Sequence, residues 1–511
     1  LSFALAISII VTTLVYHVFA SIGEDATLYA LLGKNLAQHG AFEIFGKPNL
    51  YFSPVLPFSI AVLFKLFGNL ELSAHLAVIV FGLAAVPLMY VLGRQIADRR
   101  VAVSAAVLLA LNGGWLWTYT TAVTPQIIAG FLSIILVILM IRASRFPSKK
   151  LMAAIGVVNG LAYLNRPEYF FIIIPVLLYL AVAIYGISPK KMWQSLLLTC
   201  IGFAIIAGPY LIFLHGHLGR WTISDRISAI SETTSGVSYE SVGTGIGNQL
   251  TTDIIDGSQS SQTEGLLSSI WHHKSANIKK FLKGLRDSER NGVRMLGFLG
   301  VGLAAFGLRE FLLKRRFYEL AAIAVALLPI PIIAFAQGGT AEYLIQFTCW
   351  LLLLVAIGFW SLFEDFPPNW WRIVIFSCLS LLTVAYLFFP IIQAYLFLPR
   401  DIYAREYKTM GLWLNTHIPD IADQTILART EEFSLYAGSK WEITPNVPTF
   451  QRLYEIMKAN GVHYLLADDR SKLARPQFAV LLDGNDRHPP LVFVHRETYG
   501  NNSIVLYRLD Y

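Results

Sequence analysis

LSFALAISIIVTTLVYHVFASIGEDATLYALLGKNLAQHGAF, residues 1–42, is the stretch on which the fold turns. Its first twenty residues contain no Asp, Glu, Lys or Arg, and that is the length an α-helix needs to cross the hydrocarbon core of a bilayer. Glu24 and Asp25 follow directly, side by side, and then Leu28, Leu31, Leu32 and Leu36 recur at helical spacing. That spacing predicts an amphipathic helix over 26–39 lying in the membrane interface. Asp25 would then stand at its N-cap, where a carboxylate meets free backbone N–H groups and the positive end of the helix dipole. Two acids at the exit of a membrane helix either cap the next helix or do chemistry there, and periodicity alone favours the cap.

The rest of the chain extends the membrane reading. Of its 511 residues 55% are hydrophobic and only 14% charged, with a mean hydropathy of +0.56. Soluble domains carry about 25% charged residues, so a water-soluble protein is excluded and a polytopic α-helical membrane protein is expected. Eleven spans are predicted: 1–20, 70–93, 101–117, 122–141, 151–165, 169–186, 194–214, 293–311, 318–336, 343–363 and 372–396. PVLPFSIAVLFKLF, 54–67, reads as a second interfacial helix or a further span. Leu1 opens inside an apolar run without an initiator Met, so a few residues are expected to precede it, and no cleavable signal peptide is expected. Cys200, Cys349 and Cys378 lie in apolar runs without a CxxC, which suggests neither a disulfide framework nor a zinc site.

The net charge of +7 collects in short loops, so it reports orientation rather than nucleic acid, and no nucleic-acid partner is expected. GRQIADRR (93–100), RASRFPSKK (142–150), SPKKMW (188–193) and LKRR (313–316) are assigned to the cytoplasm by the positive-inside rule. Loops 21–69 and 215–292, the turns near 118–124, 165–168 and 337–342, and everything after 397 then face the other side. Residues 1–399 form the membrane domain on this reading. Residues 400–511 are charged and change period: TILAR (425–429), VHYLLADD (462–469) and NSIVLYRL (502–509) read as strands, and TFQRLYEIMKANG (449–461) as a helix with a glycine stop. They predict a small extracytoplasmic α/β domain.

Several charges share that outer face. Lys47, in FGKPNLYFSPVLPF (45–58), either snorkels to lipid phosphates or supplies a point charge to a ligand phosphate. Arg166, in GLAYLNRPEYFF (160–171), sits near membrane depth, where an arginine is costly; it either serves a site or pairs with Glu168 or a lipid headgroup. Arg220 follows in HGHLGRW (215–221), and Glu342 with Tyr343 in AQGGTAEYLIQ (336–346). His215 with His217, or His272 with His273, could ligate a metal, but no carboxylate stands at ligand spacing and solvated histidines are favoured. The basic run Lys274, Lys279, Lys280 and Lys283 reads as a headgroup-facing helix. Together these loops can line a cavity open to the outer leaflet, suited to a substrate with a lipid tail and a charged or sugar head. Trp115, Trp117, Trp221 and Trp271 are candidates to stack on a sugar.

These motifs resemble those of the GT-C glycosyltransferases, and more narrowly the protein O-mannosyltransferase and lipid A aminoarabinose transferase group. EDATLYALLGKNLAQHGAF is similar to the family's first-loop motif, SPVLPFSIAVLFKLFG (53–68) to its proline-rich second juxtamembrane helix, GLAYLNRPEYFF to its Arg-Pro turn and AEYLIQFTCWLLLLVA (341–356) to its late helix. The likeness spans nearly the whole chain. It implies a polyprenyl-phosphate-linked sugar donor and a lipid, glycan or protein acceptor. An outer-leaflet site in a chain with unpaired cysteines fits the multi-pass plasma (inner) membrane with an extracytoplasmic site, and an ER membrane would share that topology. The resemblance places the catalytic base at Asp25, with Glu24 as neighbour or alternative base, and it leaves phosphate and substrate binding to Lys47, Arg166, Arg220, Glu342 and Tyr343. No cofactor is implied with certainty, and a divalent metal is compatible. The chain departs from the family pattern at Ser53, where relatives carry Lys or His, near Pro125, where they carry an acid, and at Glu342, where they carry Arg. An inactive scaffold and a flippase of lipid-linked sugars are the competing readings. The second predicts charges at the bilayer midplane, and the spans here are almost free of them.

Overall fold

The computed structural model describes residues 2–19, 22–185, 189–225, 274–397, 405–445, 447, 449–469, 476–484 and 489–510. Helix α1 (Ser2–Phe19) leads to α2 (Glu24–His39), a short hairpin of β1 (Glu43–Ile44) and β2 (Lys47–Pro48), and α3 (Val55–Phe67). Then come α4 (Leu70–Ile96), α5 (Arg99–Ala110), α6 (Gly113–Thr121), α7 (Pro125–Arg145), α8 (Lys149–Asn165), a 3₁₀ turn at Pro167–Ile172, α9 (Ile173–Tyr185) and α10 (Pro189–Leu218). The bundle closes with α11 (Lys274–Leu313), α12 (Phe317–Leu327), α13 (Pro329–Gln337), α14 (Ala341–Leu344), α15 (Thr348–Asp365) and α16 (Trp370–Phe397).

Among the described residues eight helical stretches are long and apolar enough to cross a bilayer, or nine if α5 and α6 count as one bent span. Length and composition alone therefore do not reach the expected eleven. Helix α8 has 17 residues, and the described apolar part of α1, Ser2–Val18, has the same length, at the short end of what crosses a bilayer. At 1.5 Å per residue such helices reach roughly 26 Å of a core about 30 Å thick. The run 101–117 is not one helix: Asn112 accepts a hydrogen bond from Trp115 N at 2.8 Å and starts α6 at 48° to α5. The basic run from Lys274 is helical, as expected, and continues to a sharp turn at Gly297 (φ 68°, ψ 166°). The Tyr386 ring fills the space a Cβ would need there.

Two seams stiffen the bundle. A Cβ on Gly156 or Gly202 would collide with the backbone carbonyls of Thr199 or Ala153, so α8 and α10 touch main chain to main chain. Gly307 and Gly358 meet the carbonyls of Leu354 and Leu303 in the same way between α11 and α15. Small residues at helix contacts are how helices pack closely in lipid, where no hydrophobic force draws them together.

The C-terminal residues form a separate sheet domain, the tail. Strands β3 (Thr425–Ala428), β4 (Lys440–Ile443), β5 (Tyr464–Asp468), β6 (Leu491–Tyr499) and β7 (Asn502–Leu509) lie in the order β4-β3-β5-β7-β6. β3 runs parallel to β4 and β5, and β7 antiparallel to β5 and β6. Helix α19 (Phe450–Ala459) covers one face with Leu453, Ile456 and Met457 against Leu465, Val505 and Tyr507. Helix α17 (Arg405–His417) covers the other with Tyr407, Met410 and Leu414 against Ile426, Leu466 and Leu506, and the short α18 (Ser434–Ala437) lies between these two helices in the chain. A sheet covered on both faces explains why β5 and β7 read as nearly unbroken apolar runs.

The tail seats on the first part of the bundle. Arg405 Nη2 donates to Val18 O at 2.7 Å, and Lys408 Nζ meets Glu71 Oε2 at 2.6 Å. The loops 93–100 and 313–316 meet at the far end of α4, where Asp98, Lys314 and Arg316 line one cavity of about 160 Å³. At 27 residues, α4 sets that end roughly 40 Å from the tail.

Candidate active site at the tail-bearing end

The first helix after α1 begins earlier than its periodicity predicts. Gly23 is the N-cap, extended at φ −121°, ψ 163°, and its carbonyl accepts from Ala26 N at 2.9 Å. Glu24 and Asp25 are therefore the first two residues of α2, and no side chain caps it locally. The assignment of Asp25 as N-cap is corrected by this geometry. Asp25 is partly buried in the first turn, where exposed N–H groups and the helix dipole still favour an anion. Leu28 and Leu32 are fully buried, and α2 lies so close to α3 that a Cβ on Gly33 would meet Ile60 Cγ2 at 2.6 Å. Both helices stop at a glycine in the left-handed region, Gly40 and Gly68.

Between them, the loop carrying Lys47 is braced rather than loose. Asn49 Nδ2 donates to Phe52 O at 2.9 Å, and Asn49 Oδ1 accepts from Phe52 N at 3.2 Å. The Phe52 ring meets the edge of Tyr29 on α2 at 4.7 Å, and Tyr210 of α10 donates to Phe52 O at 3.5 Å. Ser53 is buried. Lys47 itself, on β2, is exposed.

A second cluster joins three turns that the sequence places on one face. Arg166, at the C-cap of α8, is 1% exposed; its Nε donates to Glu168 Oε1, and its guanidinium covers the Tyr343 ring at 5.1 Å. Glu342 Oε1 accepts from Gln126 Nε2 at 3.1 Å. Tyr169 OH donates to Gln346 Oε1 at 3.4 Å, and Gln346 Nε2 to Tyr343 O at 3.0 Å. Asn165 Nδ2 donates to Pro125 O at 2.9 Å. The structure thus brings Arg166, Glu342 and Tyr343 together and pairs Arg166 with Glu168, one of its two expected uses. Gln126, Asn165 and Gln346 were not singled out from the sequence. Their signal was there: amides inside apolar runs, where polar groups are expensive.

Arg220 stands elsewhere, exposed, with Nη2 3.9 Å from Asp225 Oδ1. Its loop is tied down by Tyr163 OH, which donates to Ile223 O at 2.9 Å, and by Asp225 N, which donates to Leu50 O at 3.4 Å. His215 stacks on Trp221 at 4.2 Å and His217 packs on Phe213 at 4.5 Å. His272, His273 and Trp271 lie outside the described residues. Of the other tryptophans, Trp115 is a core residue, fully buried with Nε1 donating to Gly82 O at 3.2 Å, whereas Trp221 is exposed. Among the described residues no three His, Cys, Asp or Glu side chains gather closely enough to hold a metal ion.

Residues 47–213 match the family model described as dolichyl-phosphate-mannose-protein mannosyltransferase. In structure the chain is similar to the Archaeoglobus fulgidus oligosaccharyltransferase crystallised with zinc and sulfate, at TM-score 0.61 and 16% identity, over 92% of this chain and 68% of that one. It is also similar to ArnT from Cupriavidus metallidurans bound to undecaprenyl phosphate, at TM-score 0.58 and 13% identity, over 99% of this chain and 97% of that one. This is the GT-C fold. A sequence search of curated proteins gave no match. The archaeal AglB structure with an inhibitory peptide and a dolichol-phosphate is similar over 92% of this chain and 69% of its own, at TM-score 0.61 and 16% identity. Within this GT-C fold the pattern's departures take physical form. The acid expected near Pro125 is absent, but Glu342 reaches that helix start through Gln126; the arginine expected before Tyr343 is absent, but Arg166 covers its ring.

Proposed function

We propose that this chain transfers a sugar from a polyprenyl-phosphate-linked donor to a hydroxyl acceptor on a lipid, glycan or protein, at the extracytoplasmic face of a plasma membrane. The observation that carries this reading is Asp25: it is partly buried in the first turn of α2, one turn before Tyr29, whose ring meets Phe52 in the braced loop that follows Lys47. The family match over residues 47–213 and the fold shared with proteins solved with dolichol-phosphate and undecaprenyl phosphate support the same donor class.

The chemistry required is modest. Lipid phosphate is a competent leaving group, so the protein must hold an acceptor hydroxyl in line, take its proton and stabilise the departing phosphate. Asp25 takes the proton, with Glu24 beside it as neighbour or alternative base. Lys47 and Arg220, both exposed, meet the phosphate oxygens, and Arg166 with Glu342 and Tyr343 shapes the inner wall. One carboxylate suffices for direct displacement, which inverts the anomeric carbon. Residues 1–399 carry the reaction and 400–511 form the domain above it.

The test uses purified protein in lipid nanodiscs with a panel of polyprenyl-phosphate sugars, acceptor extracts and release of free polyprenyl phosphate as readout. Release by the native chain and not by Asp25→Asn is the expected result. Silence of the native chain with every donor would overturn the reading in favour of a lipid-binding scaffold.

A further inference from the structure

Helix α2 starts on a glycine, which has no side chain to satisfy the N–H groups of the first turn. The tail supplies a carboxylate at that spot. A Cβ built on Gly23 would lie 3.1 Å from Glu432 Oε1, so Glu432 reaches from the tail into the space that glycine leaves open, two residues from Asp25. Glu432 is 4% exposed. An anion at a helix N-terminus is favoured by the unpaired donors and the dipole together.

The arm that carries Glu432 is fixed on both sides. Before it, Arg429, just past the end of β3, pairs with Asp468 at 3.4 Å and donates to Tyr407 OH at 3.1 Å. After it, Ser434 N and Oγ both donate to Glu431 O, at 2.9 and 2.6 Å, and Gly411 of α17 lets Phe433 O approach so closely that a Cβ would sit 2.5 Å from it. The tail also holds the chain on either side of the acid pair, at Val18 through Arg405 and at Glu71 through Lys408. Of these tail contacts, the one from Glu432 falls on the start of α2 itself.

We propose that Glu432 is a positioning residue for Asp25: its carboxylate, seated against Gly23, fixes the first turn of α2 and with it the direction of the base. This rests on the reading of Asp25 as the base. It makes the tail a working part of the site, because the residue that aims the base lies more than 400 positions away from it in the sequence.

Glu432→Gln keeps the volume and removes the charge. Hydrogen exchange in nanodiscs is expected to show faster exchange at the amides of residues 24–28, roughly 2- to 30-fold as for a lost helix cap, with β3 and β5 unchanged. Turnover is expected to fall roughly tenfold with the donor KM unchanged, the pattern of an interaction made only in the transition state. Unchanged exchange in the first turn, in this variant and in Glu432→Ala, would overturn the proposal. So would a loosened first turn with full turnover, or loss of protection throughout the tail, which would make Glu432 a docking residue only. If the native chain turns over no donor, the reading of Asp25 as base fails on its own, while the exchange experiment still decides whether Glu432 fixes α2.

Discussion

Arg166 and Lys47 carry the same charge toward the same end of the bundle, and the fold treats them in opposite ways. Arg166 is inside, bonded to Glu168 and laid over Tyr343; Lys47 projects from a two-residue strand with its side chain exposed. Taking a guanidinium out of water costs several kcal/mol, and only a partner of good geometry offsets it. A charge so committed holds the protein together and can shape a wall, but it is poorly placed to exchange its partner for a substrate. A lysine in water has its donors available. The difference teaches that a cation predicted from sequence to bind phosphate has to be sorted by what already holds it. Asp25 lies between the two, partly buried in the first turn of a helix whose N-cap is a glycine.

That division can be broken by substitution. Asp25→Asn should lower turnover by about 10²–10⁴, the span of general-base assistance, with an unchanged melting transition in nanodiscs. A lower melting temperature would move Asp25 to the structural group. Arg166→Met should do the reverse: removing one partner of a buried pair costs about 3–5 kcal/mol, seen as a large fall in melting temperature or in folded yield. Lys47→Met should leave melting alone and raise the donor KM roughly tenfold or more, as for one lost charge-assisted contact. If Lys47→Met melts early and Arg166→Met does not, the division is inverted. Lys408→Met should cost only about 0.2–1 kcal/mol, because that ion pair is partly in water and is screened by salt.

The smallest effect concerns pH. Burial first, and Asp468 next, raise the Tyr407 phenol well above 10.0. A raised folded-state value means the contribution of this group to stability is complete below the unfolded value near 10 and is lost as pH climbs from there toward the folded one. The tail should therefore lose stability progressively above pH ~10, and Tyr407→Phe should soften that loss, checked by alkaline melting curves.

Much of the fold was legible in the sequence because its signals are local. The charge-free first twenty residues, the glycine stops after α2 and α3, and three of the five tail strands with helix α19 all announce themselves within a few residues. What escaped depends on context. Asn112 divides α5 from α6 inside an apolar run, and a hydropathy window reads straight through one amide. Gly23 hides the start of α2, since a glycine N-cap has no side-chain signature and periodicity begins only at Leu28. β4 is four residues long and lies at one edge of the sheet; β6 lies at the other and mixes His495, Arg496 and Glu497 with apolar residues. In the site, Asp25, Arg166, Glu342 and Tyr343 were readable as charged or aromatic residues at helix ends. Their partners Gln126, Asn165 and Gln346, and the reach of Glu432 to Gly23, exist only once distant turns meet.

The glycine seams between α8 and α10, and between α11 and α15, carry one further implication. Contact there is made by main chain on main chain, and every residue type has the same main chain. Such a frame depends on a few positions staying bare, while the side chains turned toward lipid can be exchanged among apolar residues at little cost. An architecture held in this way can persist while almost every letter around it changes, which is the physical room in which 13–16% identity and a shared shape coexist.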